Sequence, residues 1–237
     1  MVYDGPIGAT AAHAHHAYQI VVSASGRLHL ATRSERAAAE AAVIPPDELH
    51  AFEQSAPRAV LLYVAPESRV GRRLAALAPP RSRLATWIEA AASLGRVPLA
   101  ELATSIEARA FADHLLDGLV GSVGPPRPWP PAIQRLVTLL PGRLGDAVRL
   151  PALARELGLS ESRLSHLVTE HVGIPFRPYL RWLRLVRATT EIARGSTITE
   201  AAYAAGFSDG PHLTRAFRRM FGIAPSDVAG VATWHDL

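Results

Sequence analysis

The chain has 237 residues, no cysteine and a formal net charge of +4. The absence of cysteine excludes disulfides, thiolate metal ligands and cysteine nucleophiles. With 49% hydrophobic and 19% charged residues, the composition is that of a globular protein and not of a disordered one. No apolar run approaches the roughly 20 residues of a membrane-spanning helix, and the N-terminus does not resemble a secretion signal. We therefore expect a cytoplasmic protein that does not associate with membranes.

Residues 1 to 66 carry the pattern of β-structure. Apolar and polar residues alternate over residues 17–32 around a Ser-Gly break, which predicts two half-buried strands joined by a turn. The same pattern recurs at Ala41–Ile44 and at Arg58–Val64. We interpret residues 1–66 as a small β-domain.

Residues 67–120 change to Ala, Leu and Arg at helical spacing. Three helices are predicted, near residues 67–78, 82–94 and 98–120. We interpret this segment as a helical connector whose apolar faces serve either as ordinary core or as a dimer interface. The leucines that define these faces are Leu99, Leu102, Leu115, Leu116 and Leu119.

A proline-rich linker separates the two halves of the chain. Residues 121–131 contain five prolines and two glycines, which favours an extended and fairly stiff segment. Residues 132–237 follow as a helical domain. The positive charge lies in this second half, because residues from 131 onward hold 13 arginines and 9 acidic residues, while residues 1–130 hold 12 of each. This distribution permits nucleic acid as a partner.

The C-terminal half contains an internal repeat with an offset of 48 residues, which relates residues 154–160 to residues 202–208. In both copies a small alanine precedes a glycine, an apolar residue and a serine. Small residues let two helices approach, glycine ends the first helix, the apolar residue fills the corner and serine caps the second helix. This order predicts a helix-turn-helix in each copy.

The same residues resemble a known family, the AraC/XylS regulators. Residues 197–225 are similar to the signature of that family almost position for position, and residues 150–180 are similar to its first helix-turn-helix unit. The resemblance covers roughly residues 131–230, including the stops at Gly173-Ile174-Pro175 and Gly222-Ile223-Ala224-Pro225 and a central helix from Arg181 to Arg194. It implies two recognition helices that enter successive major grooves, about 34 Å apart, on one face of the duplex.

The predicted recognition helices are Ser160–His171 and about Asp209–Met220. In each helix the apolar positions face inward, and the remaining polar positions become candidates for contact with DNA. Arginine can bind guanine with two hydrogen bonds, so we expect Arg163 and Arg215 to be the principal base contacts. The alternative is that these two arginines contact only phosphates or solvent. The candidates are Ser162, Arg163, Ser165, His166, His212, Thr214, Arg215 and Arg218. Gly210-Pro211 departs from the polar residues that the family usually has there, so we expect the second unit to read bases mainly through Arg215 and its neighbours.

Histidines are concentrated near the N-terminus, and His13 and His15, two residues apart, are expected on one face of a strand. His13, His15, Gln19 and the later His50 resemble the ligand pattern of two cupin motifs, with Gln19 in the usual place of Glu and Asp47 in the usual place of Gly. One interpretation is a divalent zinc, nickel or iron ion held by the three histidines with Gln19 as a weak fourth ligand. The alternative is that these residues line a small-molecule pocket or form hydrogen bonds within the core.

The sequence thus predicts an α+β protein with an N-terminal cupin-like β-barrel (jelly roll), a helical connector and a C-terminal all-α domain with two helix-turn-helix units. The resemblance implies a transcriptional regulator that binds double-stranded promoter or operator DNA, is controlled by a small-molecule effector or a metal bound in the N-terminal barrel, and is not an enzyme. It also implies a possible homodimer and, for an activator, contact with RNA polymerase. The alternative is a metal-dependent cupin enzyme fused to a DNA-binding module.

Overall fold

The computed structural model describes residues 1–54, 56–94, 102–145, 148–228 and 233–235. The chain forms two compact units. The first contains Met1–Pro125 and the segment from Thr214 onward, and the second contains Pro126–Leu213. The boundary between Pro125 and Pro126 falls inside the predicted linker. The other predicted domain limits stay predictions.

The first unit contains two antiparallel sheets among the described residues. Its strands are β1 (Val2–Ile7), β2 (Tyr18–Ser23), β3 (Leu28–Ala31), β4 (Arg36–Ala39), β5 (Ala41–Ile44), β6 (Ala51–Phe52), β7 (Ala56–Val64) and β8 (Thr233–His235). One sheet has the order β5-β2-β7-β1-β8, and the other has the order β4-β3-β6. Every strand pair is antiparallel. The predicted strands are therefore present, whereas β1, β4, β6 and β8 had not been predicted.

The larger sheet is buried on both faces. Alternate residues of a strand point to opposite sides, so Ile20 and Val22 share one face of β2 while Gln19 and Val21 share the other. Ile20 and Val22 belong to a core with Val60 and Leu62 of β7. Gln19 and Leu61 line a cavity on the other face. One strand therefore supplies both the core and the wall of a candidate site.

Three helices cover the core face of the larger sheet. They are α1 (Arg69–Leu74), α2 (Leu84–Ala90) and α3 (Ser105–Val120), each shorter than predicted. Helix α3 begins where Thr104 and Glu107 form a capping box. Residues 98–101, at the start of the predicted third helix, and Leu99 lie outside the described residues. Leu102, Leu115 and Leu119 are buried with the sheet, and Leu116 packs against them, so these leucines are core and not an exposed interface.

The second unit is helical. It contains α4 (Pro131–Leu139), α5 (Leu150–Glu156), α6 (Glu161–Val172), α7 (Phe176–Ala193) and α8 (Ile198–Ala204). Helix α9 (Gly210–Phe221) begins in this unit, and its residues from Thr214 onward belong to the first unit, as does α10 (Pro225–Val228). The central helix α7 starts at Phe176, five residues before the predicted Arg181, and Pro175 is its N-cap residue.

Both predicted helix-turn-helix turns are present. Gly158 and Gly206 have φ values of 69° and 79°, in the left-handed region that favours glycine. The next residues close the turns, since Leu159 N donates to Ala154 O at 2.8 Å and Phe207 N donates to Ala202 O at 2.9 Å. A Cβ on Gly206 would lie 2.4 Å from Leu144 O, so the second turn also requires glycine for a close backbone approach.

The two recognition helices are capped by different residues. Ser160 caps α6 as predicted, with its side chain accepting a hydrogen bond from Arg163 N at 3.2 Å. The prediction that Ser208 caps α9 was wrong, because Asp209 Oδ1 accepts from His212 N at 2.6 Å. Ser208 Oγ instead donates to Asp209 Oδ2. The second copy has one more residue than the first between the turn glycine and the cap, and this insertion moves the capping position from Ser208 to Asp209.

The order of sheets and helices confirms the predicted α+β class. The described part of the chain contains no helix that is long and apolar enough to cross a membrane.

Candidate functional site

The first candidate site is the exposed face of α6. Leu164, Leu167 and Val168 are buried as predicted. The candidate DNA contacts Ser162, Arg163 and His166 are exposed, and Ser165 is half-buried. His166 lies 3.5 Å from Glu170, one helical turn later. Arg163 forms no ion pair with any described residue, so its guanidinium group is available to a partner.

The exposed face of α9 is more basic than that of α6. Leu213, Phe217 and Phe221 are buried as predicted. His212, Arg215 and Arg218 are exposed, and Thr214 is half-buried. The ring of His212 contacts Phe207, and its Nδ1 lies 3.1 Å from Ser208 Oγ, so this histidine is partly held by the turn. Neither Arg215 nor Arg218 forms an ion pair within the described residues.

Sequence reasoning did not select Arg219, which is also exposed on α9. It lies four residues after Arg215, and residues three or four apart share one side of a helix. Its spacing from Arg215 was the signal that could have identified it. Three arginines and no acidic residue lie between Gly210 and Phe221.

The second candidate site is a buried cluster of histidines in the first unit. His13, His15 and His50 each present a ring nitrogen within 4.8 Å of the others. The His13 and His50 rings are 4.3 Å apart, and the His15 and His50 rings are 5.1 Å apart. Gln19 lies among them and is fully buried. The structure therefore brings together all four residues that the sequence singled out.

The backbone route to this cluster differs from the prediction. His13 and His15 were expected on one face of a strand, but residues 14–17 are irregular and only His13 forms an isolated bridge, with His50. The irregular path also buries His16, whose Nδ1 lies 2.8 Å from Asp47 Oδ2. Asp47 has a φ of 64°, a conformation that glycine adopts most easily. His16 thus anchors the turn that leads to His50.

Burial dominates the electrostatics of the cluster. Desolvation lowers the pKa of His15 to about 4 and lowers the pKa of His13 and of His50 below the ordinary value. The mutual repulsion of the histidines adds to the shift for His15 and His50. All three rings are therefore neutral near pH 7, the form in which imidazole binds metals.

A cavity of about 220 Å³ adjoins the cluster. His13 and Gln19 form its polar end together with Thr10, while the remaining wall is mainly aromatic and aliphatic. Tyr3 and Tyr63 contribute from β1 and β7, and burial raises the pKa of Tyr3 to about 12, so its hydroxyl stays protonated. Within the part of the chain that the structure describes, no residue that lines the cavity carries a carboxylate or a fixed positive charge.

The end of α9 forms part of the cavity wall. Phe217, Phe221 and Ile223 all line it, and the Phe221 ring is 5.6 Å from that of Tyr63. Sequence reasoning assigned Phe217 and Phe221 only to the inner face of α9. Their second role depends on a contact between residues about 150 positions apart, for which the sequence holds no local signal.

Besides the histidines themselves, the candidate acids or bases near the cluster are Asp47, Glu48, which accepts a hydrogen bond from Arg81 N, and Glu53. The alternative of a metal-dependent enzyme needs such a group, and Gln19 does not ionise. Asp47 is bound to His16, and Glu53 is bound to Arg36 at the protein surface.

Comparison with known sequences identifies the C-terminal region. Residues 153–230 match the family model of a helix-turn-helix domain. The chain is 31% identical over 97 residues to the HTH-type transcriptional activator RhaS of Escherichia fergusonii, and equally similar to that of Salmonella arizonae. The match covers 40% of this chain and 35% of each relative, so it spans about a third of their length.

Comparison with solved structures extends over the whole chain. A structure of ToxT from Vibrio cholerae with a bound unsaturated fatty acid superposes with a TM-score of 0.62 and 14% identity, covering 100% of this chain and 97% of ToxT. A second ToxT structure gives a TM-score of 0.59 and 12% identity, with 99% of both chains covered. At this identity the likeness concerns the fold alone. The chain therefore has the fold of ToxT, and its residues 153–230 form a helix-turn-helix domain that is similar to part of the transcriptional activator RhaS.

Proposed function

We propose that this protein is a sequence-specific, DNA-binding transcriptional regulator of the cytoplasm, and that its N-terminal unit binds a small-molecule effector. The observation that carries the proposal is the pair of helix-turn-helix units, each with an exposed polar face on its second helix. Double-stranded promoter DNA is the partner that such a pair fits. The similarity to RhaS supports the same function.

The exposed side chains divide into two proposed roles. Arg163 and Arg215 are the proposed base contacts, because an exposed arginine without an internal ion pair can bind guanine O6 and N7 together. Arg218 and Arg219 are proposed phosphate contacts. The smaller polar residues adjust the fit through single hydrogen bonds to bases or phosphates. They are Ser162, Ser165, His166, His212 and Thr214.

The first test is selection of DNA fragments by the purified full-length chain at two salt concentrations. We expect a motif with two half-elements about one helical turn, or 10 to 10.5 base pairs, apart. Arg163→Ala and Arg215→Ala should each weaken binding to that motif by about 1–3 kcal/mol. Arg109→Ala, which removes an exposed arginine of α3, is the matched control and should leave binding unchanged. Failure to enrich any DNA at either salt concentration would contradict the proposal.

The proposed effector site is the cavity between β1, β7 and the end of α9. Its volume of about 220 Å³ exceeds the roughly 150 Å³ of an engineered apolar cavity that binds benzene. Aromatic walls with a few polar groups at one end are typical of small-molecule sites. Because none of the described residues that line it has a fixed charge, we expect the metal-free protein to bind a compact, largely apolar and uncharged molecule.

This expectation differs from the fatty acid that the ToxT structure contains, since a carboxylate placed in this cavity has no cationic side chain to pair with. Thermal denaturation tests this expected ligand class. The melting temperature is measured in the presence of a chelator, once with uncharged aromatic compounds and once with medium-chain carboxylates. Leu61→Trp should fill the cavity and abolish stabilisation by any binder, whereas Ile106→Trp, on the exposed surface of α3, should not. Stabilisation by the carboxylates alone would contradict the proposed ligand class.

Dimerisation and contact with RNA polymerase are further parts of the proposal. Analytical ultracentrifugation of the free protein and of its DNA complex tests the first. In vitro transcription from a selected promoter distinguishes activation from repression.

A further inference from the structure

Lone pairs of the histidine cluster face one another at its centre without a proton between them. His13 Nδ1 lies 2.9 Å from Ala11 O, and His50 Nδ1 lies 2.9 Å from Glu48 O. A carbonyl oxygen only accepts, so each Nδ1 carries the ring proton and donates it. In a neutral ring the other nitrogen, Nε2, then holds a lone pair. Two lone pairs are thereby fixed at the centre of the cluster by backbone carbonyls.

Gln19 adds a third acceptor. Its Oε1 lies 2.7 Å from His15 Nε2 and 3.1 Å from His50 Nε2. His15 Nε2 can donate to this oxygen, but His50 Nε2 has no proton to give, because its proton is on Nδ1. Among the described residues Gln19 Nε2 has no hydrogen-bond partner. Rotating the Gln19 amide by 180° would let Gln19 Nε2 donate to His50 Nε2, and Oε1 would then be the buried atom without a donor. In the first orientation the lone pairs of His50 Nε2 and Gln19 Oε1 face each other, and in the second Oε1 has no donor, so in both a buried acceptor atom lacks the positive partner that a metal ion would supply.

We propose that a divalent transition-metal ion binds at the centre of this cluster, held by His13, His15 and His50 with Gln19 Oε1 as a fourth ligand. Three imidazoles and one neutral oxygen suit borderline ions such as Zn²⁺, Ni²⁺ or Fe²⁺. Two nitrogens on one zinc ion at the usual bond length are about 3.3 Å apart, so a largest separation of 4.8 Å requires only small ring movements. The carbonyls of Ala11 and Glu48 orient the rings, as partners of metal-binding histidines commonly do.

A bound ion would also fix the end of α9. A Cβ on Gly222 would lie 2.8 Å from His13 Nδ1 and 2.5 Å from Ala11 O, so the chain passes this point in direct contact with the cluster. Ala11 N donates to Gly222 O at 3.4 Å, and the Phe221 ring is 6.2 Å from that of His15. His13, Ala11 and Gly222 therefore form a continuous path from the ion to the last turn of the second recognition helix. Holding the His13 ring should restrain that turn.

The first experiment titrates the full-length, tag-free, metal-stripped chain with Zn²⁺, Ni²⁺ and Co²⁺. Calorimetry should give one high-affinity equivalent per chain, and Co²⁺ should develop visible absorption bands with nitrogen ligands. His13→Ala and His50→Ala should each lower the affinity at least tenfold. His114→Ala, which removes an exposed histidine of α3, should not change it. Equal binding by the wild type and by both cluster variants, or no binding by the folded wild type, would overturn the proposal.

Gln19→Glu distinguishes a ligand from a residue that only fills the core. A carboxylate at this position adds a negative charge beside the ion, so metal affinity should rise about tenfold or more. The same carboxylate should destabilise the metal-free protein, because it is buried without a cation. If the variant folds and binds the metals no more tightly than the wild type, Gln19 is not a ligand.

Hydrogen exchange tests the connection to α9 without any DNA. Saturating Zn²⁺ should slow amide exchange in the peptide that covers Phe217–Gly222, and it should leave exchange in α6 unchanged. In His13→Ala this protection should be lost even at Zn²⁺ concentrations that saturate the remaining site. Unchanged exchange at the end of α9 in a wild type shown to bind Zn²⁺ would overturn the connection while leaving the metal site itself intact.

Discussion

The two recognition helices have the same length and the same kind of turn before them, but they end in different surroundings. Helix α6 lies entirely in the helical unit, and its buried residues contact other helices. Helix α9 starts in that unit, and its second half belongs to the unit that contains the sheets, where Phe217 and Phe221 line the cavity. A molecule bound near the histidines can therefore act on the second half of α9 directly.

Their surfaces differ as well. Between Glu161 and Val172, α6 has one arginine, two histidines and two glutamates, while α9 has three arginines and no acidic residue. Helix α9 begins with Gly210-Pro211, which offers no side-chain hydrogen bond to a base. We therefore expect α6 to contribute more to sequence recognition and α9 to contribute more to binding the charged DNA backbone.

The largest expected effect concerns the cores behind the two helices. Phe217→Ala should lower the free energy of unfolding by about 3–5 kcal/mol, and Leu164→Ala in α6 by about 2–5 kcal/mol, because both side chains are buried. Urea denaturation measures both losses. Hydrogen exchange should separate them, since Phe217→Ala should increase exchange in β7 and Leu164→Ala should increase it in α5 and α7. If Phe217→Ala left β7 unchanged, the contrast between the two helices would fail.

An intermediate effect concerns the DNA itself. Single base changes opposite α6 should cost about 1–3 kcal/mol, whereas changes opposite α9 should cost less. Replacing Arg218 and Arg219 together by alanine should weaken all sequences alike and reduce the slope of log K against log salt by up to about 1.8, or 0.9 for each lost phosphate contact. Arg163→Ala should change the base preference and alter the slope by at most about 0.9, the value for one phosphate contact. Filter binding of an operator and its variants over a range of salt concentrations gives both quantities.

The second half of the chain could be predicted well because its signals are local. The first recognition helix was predicted at Ser160–His171 and is found at Glu161–Val172 with Ser160 as its cap. Caps and turns depend on residues three or four positions apart, so they can be predicted from a single sequence. The error at Ser208 has the same origin, since a one-residue insertion moved the cap to the neighbouring Asp209.

The first half could be predicted only in part because its contacts are distant in the sequence. Strand β1 contains Gly5 and Pro6, which disfavour a strand, and it forms because Val2 and Tyr3 pair with Leu62 and Leu61 of β7. The residues of the histidine cluster were predicted correctly, but the strand expected at His13 and His15 was wrong. The contribution of Phe221 to its surroundings depends on tertiary packing, and no local spacing could have indicated it.

The smallest effect concerns the caps, and it tests whether the two helices are held equally at their starts. Ser160→Ala and Asp209→Ala should each lower stability by about 1 kcal/mol, since each removes one hydrogen bond to a backbone N–H at the start of a helix. Asp209→Ala also removes a negative charge at the positive end of the α9 dipole, so we expect its loss to be the larger one and to shrink at high salt. Urea denaturation at low and high salt, with Asp209→Asn as the variant that keeps the cap without the charge, separates the two contributions. Equal losses for Ser160→Ala and Asp209→Ala at all salt concentrations would mean that the charge contributes nothing. The difference between the two recognition helices would then lie in their exposed faces and C-terminal ends.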